Sequence, residues 1–92
     1  MKFTRYFLFV RQRPDRAIIK EEWILKTINN PLKTEVQTDG RIRKWSYIEE
    51  MGKYLKVILL EDSETVHNAF FDRSFNEEEK LKFGILRIQI RH

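Results

Sequence analysis

Short apolar runs separated by polar turns predict a β-sheet in the second half of the chain. Tyr54–Leu60 (YLKVILL) is nearly all apolar, and Thr65–Phe71 (TVHNAFF) follows it after the polar turn Glu61–Glu64. Short apolar runs bounded by turn residues are typical of buried strands, so these two segments are predicted to form a hairpin. The rest of an antiparallel meander is predicted at Glu35–Thr38 (extended), Asp39–Gly40 (turn), Arg41–Ile48 (strand) and Met51–Gly52 (turn).

An aromatic strand and a helix are predicted ahead of this meander. Phe3–Val10 (FTRYFLFV) is rich in aromatic residues, which favours a buried strand. Arg11–Arg16 (RQRPDR) is predicted to turn, because Pro14 lacks a backbone donor and restricts the residue before it. Ile18–Asn29 is predicted to be a helix that ends at Asn30–Pro31. Its predicted apolar face is formed by Trp23, Ile24, Thr27 and Ile28.

A short helix and a last strand are predicted after the meander. Asn76 can cap a helix over Glu77–Lys82 (EEEKLK), and Gly84 ends it. Ile85–Arg91 (ILRIQIR) alternates strictly and predicts a half-buried strand at a sheet edge or a dimer seam. The predicted fold class is therefore α+β in a single domain over residues 1–92. An antiparallel meander of three to four strands packs against an N-terminal helix, with a short C-terminal helix and strand.

The turn of the predicted hairpin decides which side chains share a face. A two-residue loop at Asp62–Ser63 places Ile58 opposite His67. The better core face then contains Leu55, Val57, Leu59, Val66, Asn68 and Phe70. Neighbouring strand residues point to opposite faces, so His67 is predicted on the more polar face, near Lys56 and Tyr54. A slip of one residue would reverse this assignment.

Composition and charge indicate the class of protein, its compartment and the charge of its partners, but assign no function. The chain has 92 residues, of which 41% are hydrophobic and 35% charged, as expected for a globular domain with an ionised surface. Its formal net charge of +4 mildly favours anionic partners such as nucleic acid. The absence of cysteine excludes disulfides and thiol nucleophiles. Arg5 and Arg11 leave too short an apolar run for a signal peptide, so we expect a cytoplasmic protein without a membrane partner.

Two basic stretches are candidate nucleic-acid contacts, because arginine matches phosphate oxygens and aromatic rings stack on bases. The first consists of Arg11, Arg13 and Arg16. Its alternative interpretation is a solvated turn in which Arg16 pairs with Asp15 or Glu21. The second consists of Arg41, Arg43, Lys44 and Trp45. Its alternative is a strand with a core tryptophan, and the pattern assigns neither Arg43 nor Trp45 to a face.

His67 is the candidate general acid or base, since a histidine titrates near neutral pH. Lys56 and Tyr54 are its candidate catalytic neighbours, and Lys44 or Arg43 could neutralise the charge that develops on a phosphate. The alternative interpretation is a sheet histidine that makes a structural hydrogen bond.

Other chemistry is not indicated. Asp72–Arg73 is predicted to close the end of the strand through a salt bridge or a turn hydrogen bond. His67 and His92, with scattered carboxylates, form no metal-ligand pattern. There is no glycine-rich phosphate loop, so no metal and no cofactor are expected.

Residues 3 to 75 resemble a family of short, uncharacterised bacterial proteins. The resemblance rests on RPDRAIIKEEWI, an Asn-Pro stop, QTDGRIRKW and YLKVILLEDSETVHNAFFDRSF. In layout these proteins are similar to RelE-like and BrnT-like toxins. RelE-like toxins are ribonucleases, often ribosome-dependent, that an antitoxin inhibits. The resemblance implies that Lys44, Tyr54, Lys56 and His67 are candidate functional residues. BrnT-like proteins place their strands after their helices, whereas an aromatic strand is predicted first here, and the likeness stops before Asn76.

Two classes of function follow from these observations. The leading hypothesis is a toxin-type protein acting on RNA, either as a metal-independent endoribonuclease or as a translation inhibitor. Its expected partners are RNA or the ribosome and an antitoxin-like protein. The alternative is a non-catalytic module that binds protein or nucleic acid, with exposed strands available for homodimerisation or strand addition.

Overall fold

Between residues 1 and 75, three short helices and a five-stranded sheet make up the fold. The structure, a computed structural model, describes residues 1–75. In chain order the elements are β1 (Lys2–Phe3), α1 (Arg5–Val10), α2 (Pro14–Ala17), α3 (Glu21–Asn29), β2 (Lys33–Val36), β3 (Ile42–Ile48), β4 (Lys53–Leu59) and β5 (Thr65–Phe71). The sheet order is β1-β5-β4-β3-β2. Strands β2 to β5 are antiparallel, and β1 lies parallel to β5.

The predicted α+β class is confirmed, with one difference in detail. Strands β2 to β5 form an antiparallel meander of four strands, as predicted, and the parallel β1 makes the described sheet mixed, with five strands. The predicted C-terminal helix and strand lie outside the described residues. None of the helices between residues 1 and 75 is long and apolar enough to cross a membrane.

The strand predicted over Phe3–Val10 is wrong, because most of that segment is helix α1. Thr4 has an extended backbone, and its Oγ1 accepts a hydrogen bond from the Phe7 amide at 3.1 Å. This cap satisfies a backbone donor that a new helix leaves unpaired. Phe7 and Val10 then lie three residues apart on one buried face. Aromatic content favoured a strand, but the threonine cap and this spacing favour the helix.

The predicted helix over Ile18–Asn29 starts three residues later, at Glu21. Its buried face is the predicted one, since Trp23, Ile24 and Thr27 are buried and Ile28 packs against the core. The Arg11–Arg16 turn contains α2, whose first residue is Pro14. Proline suits that position because the missing amide would have no partner within the helix.

One apolar core lies between the helices and one face of the sheet, which we call the helical face. Its buried members are Phe7, Val10, Ile19, Trp23, Ile24, Ile48, Leu55, Val57, Leu59, Val66 and Ala69. Thr27 and Ser46 are buried with them, and their hydroxyl oxygens lie 2.5 Å apart in a shared hydrogen bond. The opposite face, which carries Trp45, is called the outer face.

The hairpin of β4 and β5 begins in the predicted register. Leu59 lies opposite Val66, and the Asp62 carboxylate accepts from the Thr65 hydroxyl and from the amides of Thr65 and Glu64. These bonds lower the pKa of Asp62 to about 2. Predicted core positions at Leu55, Val57, Leu59 and Val66 are confirmed by their burial.

Beyond Val66 the predicted register is wrong by one residue. Ile58 lies opposite Asn68 instead of His67, because β5 has an irregularity there that leaves His67 as an extra residue. The extra residue exchanges the faces of everything after it. Ala69 and Phe71 therefore join the helical face, and the predicted core positions of Asn68 and Phe70 are wrong.

Candidate functional site

A row of alternating cations and aromatic rings crosses the outer face. The strand register places Lys33, Trp45, Lys56 and Phe70 side by side on four neighbouring strands. The Nζ atoms of Lys33 and Lys56 lie 5.5 Å and 5.4 Å from the centre of the Trp45 ring. Lys56 Nζ is also 5.4 Å from the Phe70 ring centre, and Arg16 Cζ lies 5.2 Å from that centre. We call these five residues the cation–aromatic row.

More aromatic rings extend from the middle of the row. Phe75 stacks on Trp45 with ring centres 5.3 Å apart, and Tyr54 contacts the Phe75 ring at 5.0 Å. Tyr47 lies 5.0 Å from Tyr54 and is 38% exposed, whereas Trp45 is only 5% exposed. Trp45 was predicted to stack on a base, but the structure makes it the support beneath the more exposed rings. Tyr47, Tyr54 and Phe75 are the rings that a ligand would meet first.

Asp72 anchors Trp45 from the end of β5. Its Oδ2 accepts from the indole N–H at 2.9 Å, and its Oδ1 accepts from the Ser74 amide at 2.9 Å and hydroxyl at 2.6 Å. Burial raises the pKa of Asp72, but these hydrogen bonds outweigh it and hold the pKa below its ordinary value. The predicted turn hydrogen bond that closes the strand is therefore present, and both carboxylate oxygens are already engaged.

The cations of the outer face are only partly neutralised. Burial lowers the pKa of Lys56, and the nearby Arg43 lowers it further, whereas Asp72 and Glu35 act in the opposite direction. Arg43 Nη1 lies 3.8 Å from the Glu35 carboxylate. With its amide oriented to suit this network, the Gln37 oxygen accepts from Arg43 Nε at 3.0 Å and from Nη2. An anion bound beside Lys56 would therefore favour its charged form.

The structure does not bring His67 together with Lys56. His67 is three residues from Phe70, the partner of Lys56, which at roughly 3.3 Å per residue is about 10 Å along the strand. Tyr54 lies two residues beyond Lys56, farther still from His67. A single phosphate cannot contact both ends of this set. Catalysis by His67, Lys56 and Tyr54 stays a prediction.

His67 is held at the sheet edge by the start of α1. Its Nδ1 lies 3.2 Å from Thr4 Oγ1, and its ring stacks on Tyr6 with centres 5.0 Å apart. Thr4 Oγ1 already accepts from the Phe7 amide, so its own proton is available to donate to a neutral His67. Burial, followed by the charge of Arg41, lowers the pKa of His67. These contacts match the structural role that was the alternative interpretation.

Several predicted phosphate contacts have partners within the fold. Arg11 pairs with Glu21 at 3.0 Å and lies over the Phe3 ring. Lys44 lies on the helical face and donates to the Ile28 carbonyl at 2.9 Å, so it cannot join Trp45 on the outer face. Lys33 and Phe70 belong to the row on the outer face, although sequence patterns did not select them as contacts.

The remaining predicted cations lie on the surface. Arg13 is exposed at the start of α2, and Arg41 is exposed with Nε 3.9 Å from the Asp39 carboxylate. Of the predicted nucleic-acid contacts, only Arg16, Arg43 and Trp45 lie in the cation–aromatic row or beside it on the outer face. Lys33 and Phe75 were missed, because their approach to Trp45 depends on strand register and tertiary contact.

Among residues 1–75, no group of three or more histidine, aspartate or glutamate side chains is arranged to hold a metal ion. No protein-family model matches the chain, and neither a curated protein nor a solved structure matches it. The resemblance to RelE-like and BrnT-like toxins therefore stays a prediction.

Proposed function

We propose that this protein binds single-stranded nucleic acid, with RNA as the preferred form, across the outer face of its sheet. The cation–aromatic row carries this proposal. Lysine and arginine attract backbone phosphates, and aromatic rings stack on bases of any sequence for about 1–3 kcal/mol per base. Here cations alternate with rings along a row that crosses four strands, and the more exposed rings of Tyr47, Tyr54 and Phe75 lie beside it.

Charge favours a polyanion over a peptide as the occupant. The row has three cations, Lys33, Lys56 and Arg16, and the chain carries a formal net charge of +4. Carboxylates offset part of this charge: Glu35 lies 3.2 Å from Lys33 Nζ, Asp15 lies 3.5 Å from Arg16 Nε, and Asp72 and Glu35 act on Lys56. Single strands suit this face better than duplexes, since the bases of a duplex are stacked on each other and closed to side-chain rings. RNA is preferred over DNA on the strength of the resemblance to RelE-like toxins.

Binding is better supported than cleavage. General acid–base catalysis requires the histidine within hydrogen-bond reach of the proton it transfers. His67 lies about 10 Å along the strand from Phe70, the partner of Lys56, so a phosphate held by Lys56 is out of its reach. It is engaged by Thr4 and Tyr6. A toxin-type action of this protein would therefore proceed by occupying RNA and blocking translation.

The test is the affinity for a short unstructured oligoribonucleotide, measured by fluorescence anisotropy at several salt concentrations. Lys56→Ala should raise Kd by about tenfold and reduce the slope of log K against log salt by about 0.7, the value for one phosphate contact with a single strand. Tyr47→Ala should raise Kd by between about fivefold and a hundredfold through lost stacking.

Lys2→Ala is the matched control, because Lys2 lies on β1, away from the row, and its exposed ammonium lies 4.0 Å from Glu64. It should change Kd by less than about twofold, in line with its weak surface pairing. Equal losses for Lys2→Ala and Lys56→Ala would contradict a defined binding face. RNA cleavage by the wild type that His67→Ala abolishes would restore the catalytic hypothesis.

A further inference from the structure

An open groove lies where the cation–aromatic row reaches α2. Its volume is about 310 Å³, at the lower end of the size range of small-ligand sites. Apolar side chains of Ile18, Phe70 and Phe71 and the cations Arg16, Lys53 and Arg73 line it. Phe70 and Arg16 also belong to the row, whereas Phe71 and Lys53 lie on the helical face, so the groove adjoins the outer face at the β5 edge of the sheet.

Two of the three cations in the groove have no carboxylate partner among the described residues. Lys53 Nζ lies 5.5 Å from the Phe71 ring centre, and Arg73 is exposed. The carboxylates of Asp15 and Asp72 also line the groove; Asp15 lies beside Arg16, and Asp72 accepts hydrogen bonds from Trp45 and Ser74. Lys53 and Arg73 are therefore available to an anion.

The third cation, Arg16, is fixed in place. Its side chain is 16% exposed, and its Nη1 donates to the Asn68 amide oxygen at 2.7 Å. Its Nε lies 3.5 Å from the exposed Asp15 carboxylate, near enough for an ion pair but without hydrogen-bond geometry, and is buried with no hydrogen-bond partner. Arg16 thus supplies a positive charge at the groove. The Asn68 amide is neutral, and the exposed Asp15 carboxylate offsets this charge only in part.

Strand addition by a peptide fits this edge poorly. Among the described strands, β1 alone pairs with the outer edge of β5, and it reaches only Thr65 and Val66. Farther along, the Ala69 amide donates to the side-chain oxygen of Asn68 at 2.9 Å. The backbone donor that an added strand would need is therefore already used.

We propose that the groove binds the terminal phosphate of a nucleic-acid strand lying on the outer face, an inference that rests on the proposed function. A terminal phosphomonoester carries more negative charge at neutral pH than an internal phosphodiester, because its second pKa is about 6. Lys53 and Arg73 contact the phosphate, Arg16 adds its fixed charge, and the rings of Phe70 and Phe71 face the terminal nucleoside.

The test compares one oligoribonucleotide sequence with a 5′-phosphate, with a 3′-phosphate and with hydroxyl groups at both ends. The wild type should bind one of the phosphorylated forms about tenfold more tightly than the hydroxyl form, the gain expected of a charge-assisted contact. Arg73→Ala should remove that preference. Lys33→Ala, at the other end of the row, should weaken all three forms by the same factor and retain the preference.

The experiment distinguishes failure of the groove proposal from failure of the proposed function. Equal binding of the three forms by the wild type would overturn the groove proposal while leaving the proposed function intact. If no oligonucleotide binds, the proposed function fails, and the groove is judged by NMR titration with a nucleoside monophosphate. Amide shifts at Lys53 and Arg73 that disappear in Arg73→Ala would support an anion site there, and their absence would overturn it.

Discussion

At the scale of single residues, His67 shows how one position can serve packing and electrostatics together. It is the extra residue of β5, so it sets the faces of Asn68 and all that follows. The same side chain contacts Thr4, which also caps α1. A proton on Nδ1 would remove the acceptor for the Thr4 hydroxyl. The contact therefore favours neutral histidine, in the same direction as burial.

This preference predicts a pH dependence of stability. The pKa of His67 is lowered in the folded protein, so between that value and about 6.5 the unfolded chain binds more protons than the folded one. The free energy of unfolding should therefore fall as pH decreases through about 6.5 and level off below the folded pKa. Urea denaturation across this range should show a weaker dependence in His67→Gln. An equal dependence in both proteins would contradict the assignment.

At the scale of elements, sequence patterns located the last three strands better than β1, β2 and the helices. β5 was predicted with its observed bounds, and β3 and β4 within one residue, because apolar runs bounded by glycine and acidic turns are local signals. The start of α1 was missed, although Thr4 is a capping residue with apolar positions three and six residues later. The irregularity at His67 has no comparable local signal. It determined where Phe70 lies, and so the composition of the cation–aromatic row.

The Thr4 cap can be tested directly. Thr4→Ala removes the acceptor for the Phe7 amide and the partner of His67, and should lower the free energy of unfolding by about 1 kcal/mol, as for other helix caps. Thr4→Ser keeps the hydroxyl and should recover most of that loss. The measurement is chemical denaturation at pH 7. A serine variant as unstable as the alanine variant would show that the methyl group of Thr4, rather than its hydroxyl, stabilises α1.

At the scale of the whole molecule, the two faces of the sheet divide the aromatic residues between them. Trp23 and Phe7 are buried with aliphatic side chains on the helical face. Tyr47, Tyr54 and Phe75 lie on the outer face among cations, with partial exposure. A domain this small depends on its main core for most of its marginal stability. The outer rings have two alternative roles: they contact a ligand, or they form a second core that stabilises the fold.

A pair of substitutions distinguishes a binding face from a second core. Leu55 is fully buried on the helical face, and Leu55→Ala should cost about 2–5 kcal/mol, a large part of the stability of a small domain. Tyr47→Ala removes a 38% exposed ring and should cost less than about 1 kcal/mol while weakening oligonucleotide binding. Urea denaturation and anisotropy on both variants provide the comparison. If Tyr47→Ala unfolds the protein as readily as Leu55→Ala, the outer rings stabilise the fold, and their arrangement no longer supports nucleic-acid binding.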